Sequence, residues 1–104
     1  MDSGHITSPQ HWERRLIEDY KDYRWRRLME PLCQKMDQWK QGQLPYDEME
    51  QVLEDIYREV YEMRNLFSQR EDRLVLLIQW LDREWFEHWV QEHTPPPDHG
   101  YCRT

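Results

Sequence analysis

The chain has 104 residues, a formal net charge of −7, 34% charged and 38% apolar residues, six Trp, six Tyr and no Ala. That length allows one domain with a modest core. The acidic balance argues against a general nucleic-acid binder or an anionic membrane surface as partner, since both require cations. Without Ala, close helix–helix approach is hard to arrange, and wide spacing filled by rings is expected.

Residues 1–8 read as a disordered N-terminus, polar and without the basic-then-apolar pattern of a secretory leader. Ser8-Pro9 is a helix start, with Ser as N-cap and Pro at the first helical position, where its missing N–H costs nothing. Nothing but Pro31 disturbs a helix over 9–41, and Gly42 suits the left-handed residue that ends one. Pro31 is expected to kink this first helix, since its ring collides with the carbonyl of Arg27. The apolar stripe also changes phase there. Trp25, Met29, Leu32, Met36 and Trp39 step by three and four, whereas Trp12, Leu16, Tyr20 and Tyr23 form a separate series.

Leu44-Pro45 opens a second helix over 45–93. The series Tyr46, Met49, Leu53, Ile56, Val60, Met63, Phe67, Arg70, Leu74, Leu77, Leu81, Glu84, His88 alternates steps of three and four, which is heptad periodicity. A rival reading breaks the chain near 65–68, with Asn65 left-handed and Ser68 and Glu71 forming a capping box. Continuity is preferred, because a reversal is not expected to preserve the heptad phase. Residues 94–104, beginning Thr94-Pro95-Pro96-Pro97, read as a flexible tail after a helix stop.

The expected fold is therefore all-α. Helices of about 50 Å and 73 Å form an antiparallel hairpin over the single domain 9–93, which associates into a four-helix bundle. Beyond Ile78 the longer helix overhangs with Trp80, Leu81, Trp85, Phe86 and Trp89, an aromatic patch expected to be an interface, in the first instance with a second copy of the chain. Within the seam, Arg70 is expected to form a partly buried, register-fixing pair with Glu18, with Asp22 as second choice.

Candidate chemistry is sparse. Glu84, Glu87 and His88 lie within little more than one turn and offer carboxylate and imidazole ligands suited to iron, manganese or zinc. The Glu-x-x-His spacing of di-iron bundles is absent, so no cofactor is the leading expectation. Arg14 to Arg27 interleave with Trp12, Tyr20, Tyr23 and Trp25, a composition that binds single strands. Glu18, Asp19 and Asp22 interrupt any basic stripe, and a salt-bridged helix face is favoured. The glycines, at 4, 42 and 100, make no phosphate loop, Ser3, Ser8 and Ser68 lack recognisable triad partners, and Cys33 reads as inert. Catalysis is thus not expected. With the longest apolar run only Leu74–Ile78, neither is a membrane span. Two cysteines without a framework, Cys33 and Cys102, suit the cytoplasm. The leading expectation is a non-catalytic helical scaffold, adaptor or regulator, homodimeric and acting through aromatic protein–protein contacts. A metal-binding bundle is the alternative, and nucleic-acid binding comes third.

Overall fold

The computed structural model describes residues 8–96, which form four α-helices and no strand: α1, Pro9–Lys40; α2, Tyr46–Phe67; α3, Glu71–Leu81; and α4, Arg83–Glu92. The structure of residues 1–7 and 97–104, which include most of the expected disordered start and tail and Cys102, lies outside the described residues. Of the tail, Pro96 is buried.

Helix α1 starts and stops by local chemistry. The Ser8 hydroxyl accepts a hydrogen bond from the backbone N–H of His11 at 3.1 Å, while its carbonyl accepts from Trp12 at 3.0 Å. One orphan donor of the first turn is thereby satisfied. The helix continues through Pro31. At its end Gly42 takes φ +75°, its N–H donates to the carbonyl of Trp39, and Gln43 N–H donates to the carbonyl of Gln38 at 2.8 Å. These two bonds are the Schellman pattern. No atom lies within 4 Å of where a Cβ on Gly42 would sit. The objection to a side chain there is thus conformational, not steric. Gly42→Ala should lower stability by about 1–2 kcal/mol, read from the urea midpoint. An unchanged midpoint would mean that this cap contributes nothing.

The uninterrupted second helix over 45–93 is corrected: the chain breaks twice, at 68–70 and at Asp82. The first break lies beside the rival position, but its chemistry differs from the capping box considered for it. Asn65 is not left-handed, since no residue other than Gly has positive φ among the described residues. Ser68 ends α2, its hydroxyl donating to the carbonyl of Asn65 at 2.7 Å, and Arg70, extended at φ −63° and ψ 152°, is the residue that precedes α3. With a turn already present, inserting Gly-Gly after Ser68 should cost under about 1 kcal/mol, as slow loop-entropy growth requires. A large drop in melting temperature would instead point to a rigid connection.

The second break falls where no Gly or Pro marks it. Asp82 takes φ −137° and ψ 61°; its N–H closes α3 on the carbonyl of Ile78, and its own carbonyl receives the N–H of Phe86 at 2.9 Å. One residue thus ends one helix and starts the next. The Tyr20 hydroxyl donates to its carboxylate at 3.1 Å, fixing the corner against α1.

The heptad phase survived these breaks only in appearance. In α3 the buried residues are Leu74, Val75 and Ile78, while the seam residue Leu81 is 51% exposed. In α4 Phe86 and Trp89 are buried, whereas the seam positions Glu84 and His88 are exposed.

The chain divides into two compact units. The first takes its described residues from 8–20 and 69–96. Its core holds Trp12, Leu16 and Tyr20 of α1, Leu74, Val75 and Ile78 of α3, and Phe86 and Trp89 of α4. Rings set its geometry: Trp12 meets Trp89 edge-on at 5.3 Å, Tyr20 lies 5.0 Å from Trp85, and Trp89 stacks on His93 at 4.2 Å. Both buried indole N–H groups are satisfied, Trp12 by the carbonyl of His93 at 2.9 Å and Trp89 by the carboxylate of Asp19 at 2.8 Å. Buried indoles demand such partners.

The second unit, residues 21–68, has a thinner core. Its buried hydrophobic residues are Leu28, Leu44 and Met63, and Lys21 Nζ stands 5.7 Å from the centre of the Phe67 ring. Met36, Trp39, Tyr46, Leu53, Tyr57 and Tyr61 of this unit are all exposed.

Candidate docking surface on the third helix

The expected aromatic overhang is split by the fold. Phe86 and Trp89 are 2% and 5% exposed, and Trp85 is half-buried beside Tyr20. Phe86 and Trp89 belong to the core of the first unit, which corrects their assignment to an interface, while Trp85 is only partly covered. The reason is the corner at Asp82, which turns α4 back onto α1 instead of carrying it outward. Trp80 and Leu81 keep their expected position: they are 79% and 51% exposed.

Trp80 belongs to a larger feature. Helix α3 is apolar on two sides, because the run Leu74–Ile78 supplies Leu74, Val75 and Ile78 to the core and leaves Leu76 and Leu77 over. At 100° per residue, Leu76, Leu77 and Trp80 share an arc with Arg73. Together with Arg70, Asp72, Gln79 and Arg83 they line an open groove of about 790 Å³. Leu77 is half-buried, whereas Leu76 is 53% exposed. Gln79 Oε1 is buried there without a hydrogen-bond partner.

The rim is basic, three arginines against one aspartate. Arg70 grips Asp72 with Nε at 3.3 Å and Nη2 at 2.9 Å, and the N–H of Arg73 adds a third bond to the same carboxylate. Hydrogen bonds from Arg70 first, and from Arg73 N–H second, hold the Asp72 carboxyl below the usual carboxylate range. The pair's small stabilisation is therefore present at neutral pH and is lost as pH falls through that lowered value. This pair also replaces the expected one: Arg70 is 83% exposed and bound to Asp72, two residues away, so the partly buried link to Glu18 is corrected. Arg70 lies in the turn before α3, not in a buried seam, and a short-range fork needs no second helix. Arg83 is paired with Glu87 at 3.3 Å, while the Arg73 guanidinium forms no ion pair among the described residues.

Glu84 and His88 lie exposed on α4, and Glu87 is held by Arg83. Among the described residues no three His, Cys, Asp or Glu side chains are grouped to hold a metal ion. Four arginines of the stretch 14–27 are engaged within the chain: Arg14 with Glu71 at 3.4 Å, Arg15 with Asp19 at 3.1 Å, Arg26 with Asp22 at 2.7 Å, and Arg27 over the Tyr23 ring. Trp12 and Tyr20, two of the aromatic residues between them, are buried. Cys33 is a free thiol and exposed. No helix among the described residues is long and apolar enough to cross a membrane.

No protein family, curated protein or solved structure matches this chain.

Sequence reasoning missed Arg73, Leu76, Leu77 and Arg83 as parts of a site. The available signal was two interleaved apolar sets in one short helix, bracketed by arginines. A single-seam reading of the leucines concealed it.

Proposed function

We propose that this chain is a non-catalytic helical scaffold or adaptor of the cytoplasm that works by protein–protein contact, and that it self-associates through the outer face of α3. The observation that carries this reading is the exposure of Trp80 beside Leu76 within an arginine-rimmed groove. Exposed apolar stripes with a polar rim mark interaction surfaces, and Trp and Arg are the residues that most often anchor them. The thin core of the second unit supports the same reading, because helices with so little buried surface gain stability from being covered. An exposed free thiol at Cys33 suits a reducing compartment. In this reading the four-helix assembly of two long hairpins gives way to a contact in which α3 presents its outer side.

Native mass spectrometry of the protein as purified, without chelator, tests the reading. A dimer without added mass is the expected result. A monomer at every accessible concentration overturns self-association, and iron-, manganese- or zinc-sized increments would support Glu84 and His88 as ligands instead.

A further inference from the structure

Resting on that reading of α3 as a docking surface, we propose that its occupant is the acidic outer ridge of α2 from a second copy of this chain.

The ridge is made of Tyr46, Leu53, Tyr57 and Tyr61, which are 82%, 50%, 74% and 58% exposed. At 100° per residue these four positions fall within an arc of about 80°, forming a stripe beside the inward face that carries Met63. Tyrosine is a preferred interface anchor, because it contributes a large rigid ring with few rotamers to freeze. The ridge spans residues 46–61, about 22 Å of helix, and α3, which carries the apolar residues of the groove, spans Glu71–Leu81, about 16 Å.

Charge selects the pairing. Helix α2 carries seven acidic residues against Arg58 and Arg64. Asp47, Glu50 and Glu54 lie along the ridge, and their side chains make no hydrogen bond or ion pair among the described residues. The groove presents the opposite sign through the Arg73 guanidinium, flanked by Arg70 and Arg83, which are already paired with Asp72 and Glu87. Rim charges of opposite sign steer encounter and set register. Two α3 faces brought together would instead oppose arginine to arginine, and two α2 ridges would oppose carboxylate to carboxylate. Groove against ridge is the combination that joins apolar to apolar and basic to acidic. Each copy carries one groove and one ridge, so either partner can supply either half of the contact.

The experiment uses the full chain in three forms: wild type, Trp80→Glu in the groove, and Tyr57→Glu on the ridge. Both changed side chains are largely exposed, and circular dichroism checks that each variant is folded. In sedimentation velocity each variant alone should dimerise at least about 30-fold more weakly than wild type. An equal mixture, with one variant isotope-labelled, should regain a heterodimer through the one intact groove–ridge pair. A charge exchange gives a second route that leaves the aromatic residues in place: Arg73→Glu and Glu50→Arg/Glu54→Arg should each weaken association and should restore it when mixed. If the ridge variants dimerise like wild type while Trp80→Glu does not, the groove still docks a copy of the chain but α2 is not the occupant, and this inference falls alone. If mixing restores nothing in either pair, the inference falls as well. If Trp80→Glu dimerises like wild type, or the wild type is monomeric, the docking reading of α3 falls with it.

Discussion

Trp89→Ala should destabilise the protein by about 3–5 kcal/mol, the largest stability effect expected of any single substitution here. Trp89 is 5% exposed and in contact with three other rings. Truncation removes the ring that α4 places against α1 and leaves a cavity between Trp12 and His93. It also removes the indole N–H that donates to Asp19 at 2.8 Å. A chain of this length has a total stability of about 5–15 kcal/mol, so the loss is a large fraction of it. Trp89→Phe separates the two contributions. It keeps much of the ring and loses the donor, and should cost about 1–3 kcal/mol. Trp80→Ala, on the exposed face of α3, should stay within about 0.5 kcal/mol of wild type. Urea unfolding of the three variants at low protein concentration is the measurement. Equal midpoints for Trp89→Ala and Trp80→Ala would contradict the division of these two tryptophans into core and surface.

The second large effect lies in association, not folding. Trp80→Glu removes the most exposed indole of the described residues and places a carboxylate between Arg73 and Arg83. Against an acidic ridge the new charge repels as well as failing to fill the contact, so the dimer should weaken by at least about 30-fold. The melting temperature of wild type should rise with protein concentration, as it does for any protein whose folded form alone associates. That of Trp80→Glu should not. Raising the salt should weaken the proposed dimer, because rim pairs at its edge would lie in water and be screened. A concentration-dependent melting temperature in the variant, equal to that of wild type, would contradict the role given to Trp80.

Local signals in the sequence were legible where a single residue type settles the backbone. Ser8 and Pro9 mark the start of α1, and Gly42 its end, because capping and left-handed φ depend on chemistry within a few residues. The break after Ser68 was visible only as a rival to the heptad, since Ser and Asn tolerate helix and turn alike. Asp82 gave no warning, as Asp is at home inside a helix. What makes it a corner is Tyr20, distant in sequence, donating to its carboxylate. The leucines misled because α3 is apolar on two sides, so a seam can be drawn through Leu74, Leu77 and Leu81 although the core side is Leu74, Val75 and Ile78. Arg70 misled for the same reason. Placed on a seam it calls for a distant carboxylate, but in a turn it finds Asp72 two residues away. Trp80 and Trp85 illustrate the rest: composition marked both as interface residues, and only the turn at Asp82 sends one outward and the other in against Tyr20.

The most direct test of the account is an intermolecular photo-crosslink from position 80. One preparation carries p-benzoylphenylalanine in place of Trp80, the other is isotope-labelled wild type, and the mixed dimers are irradiated and mapped by peptide mass. Labelled partner peptides from 46–64, around Tyr57 and Tyr61, are the expected product. Crosslinks that map to α3 of the partner, or the absence of any intermolecular product, would contradict it.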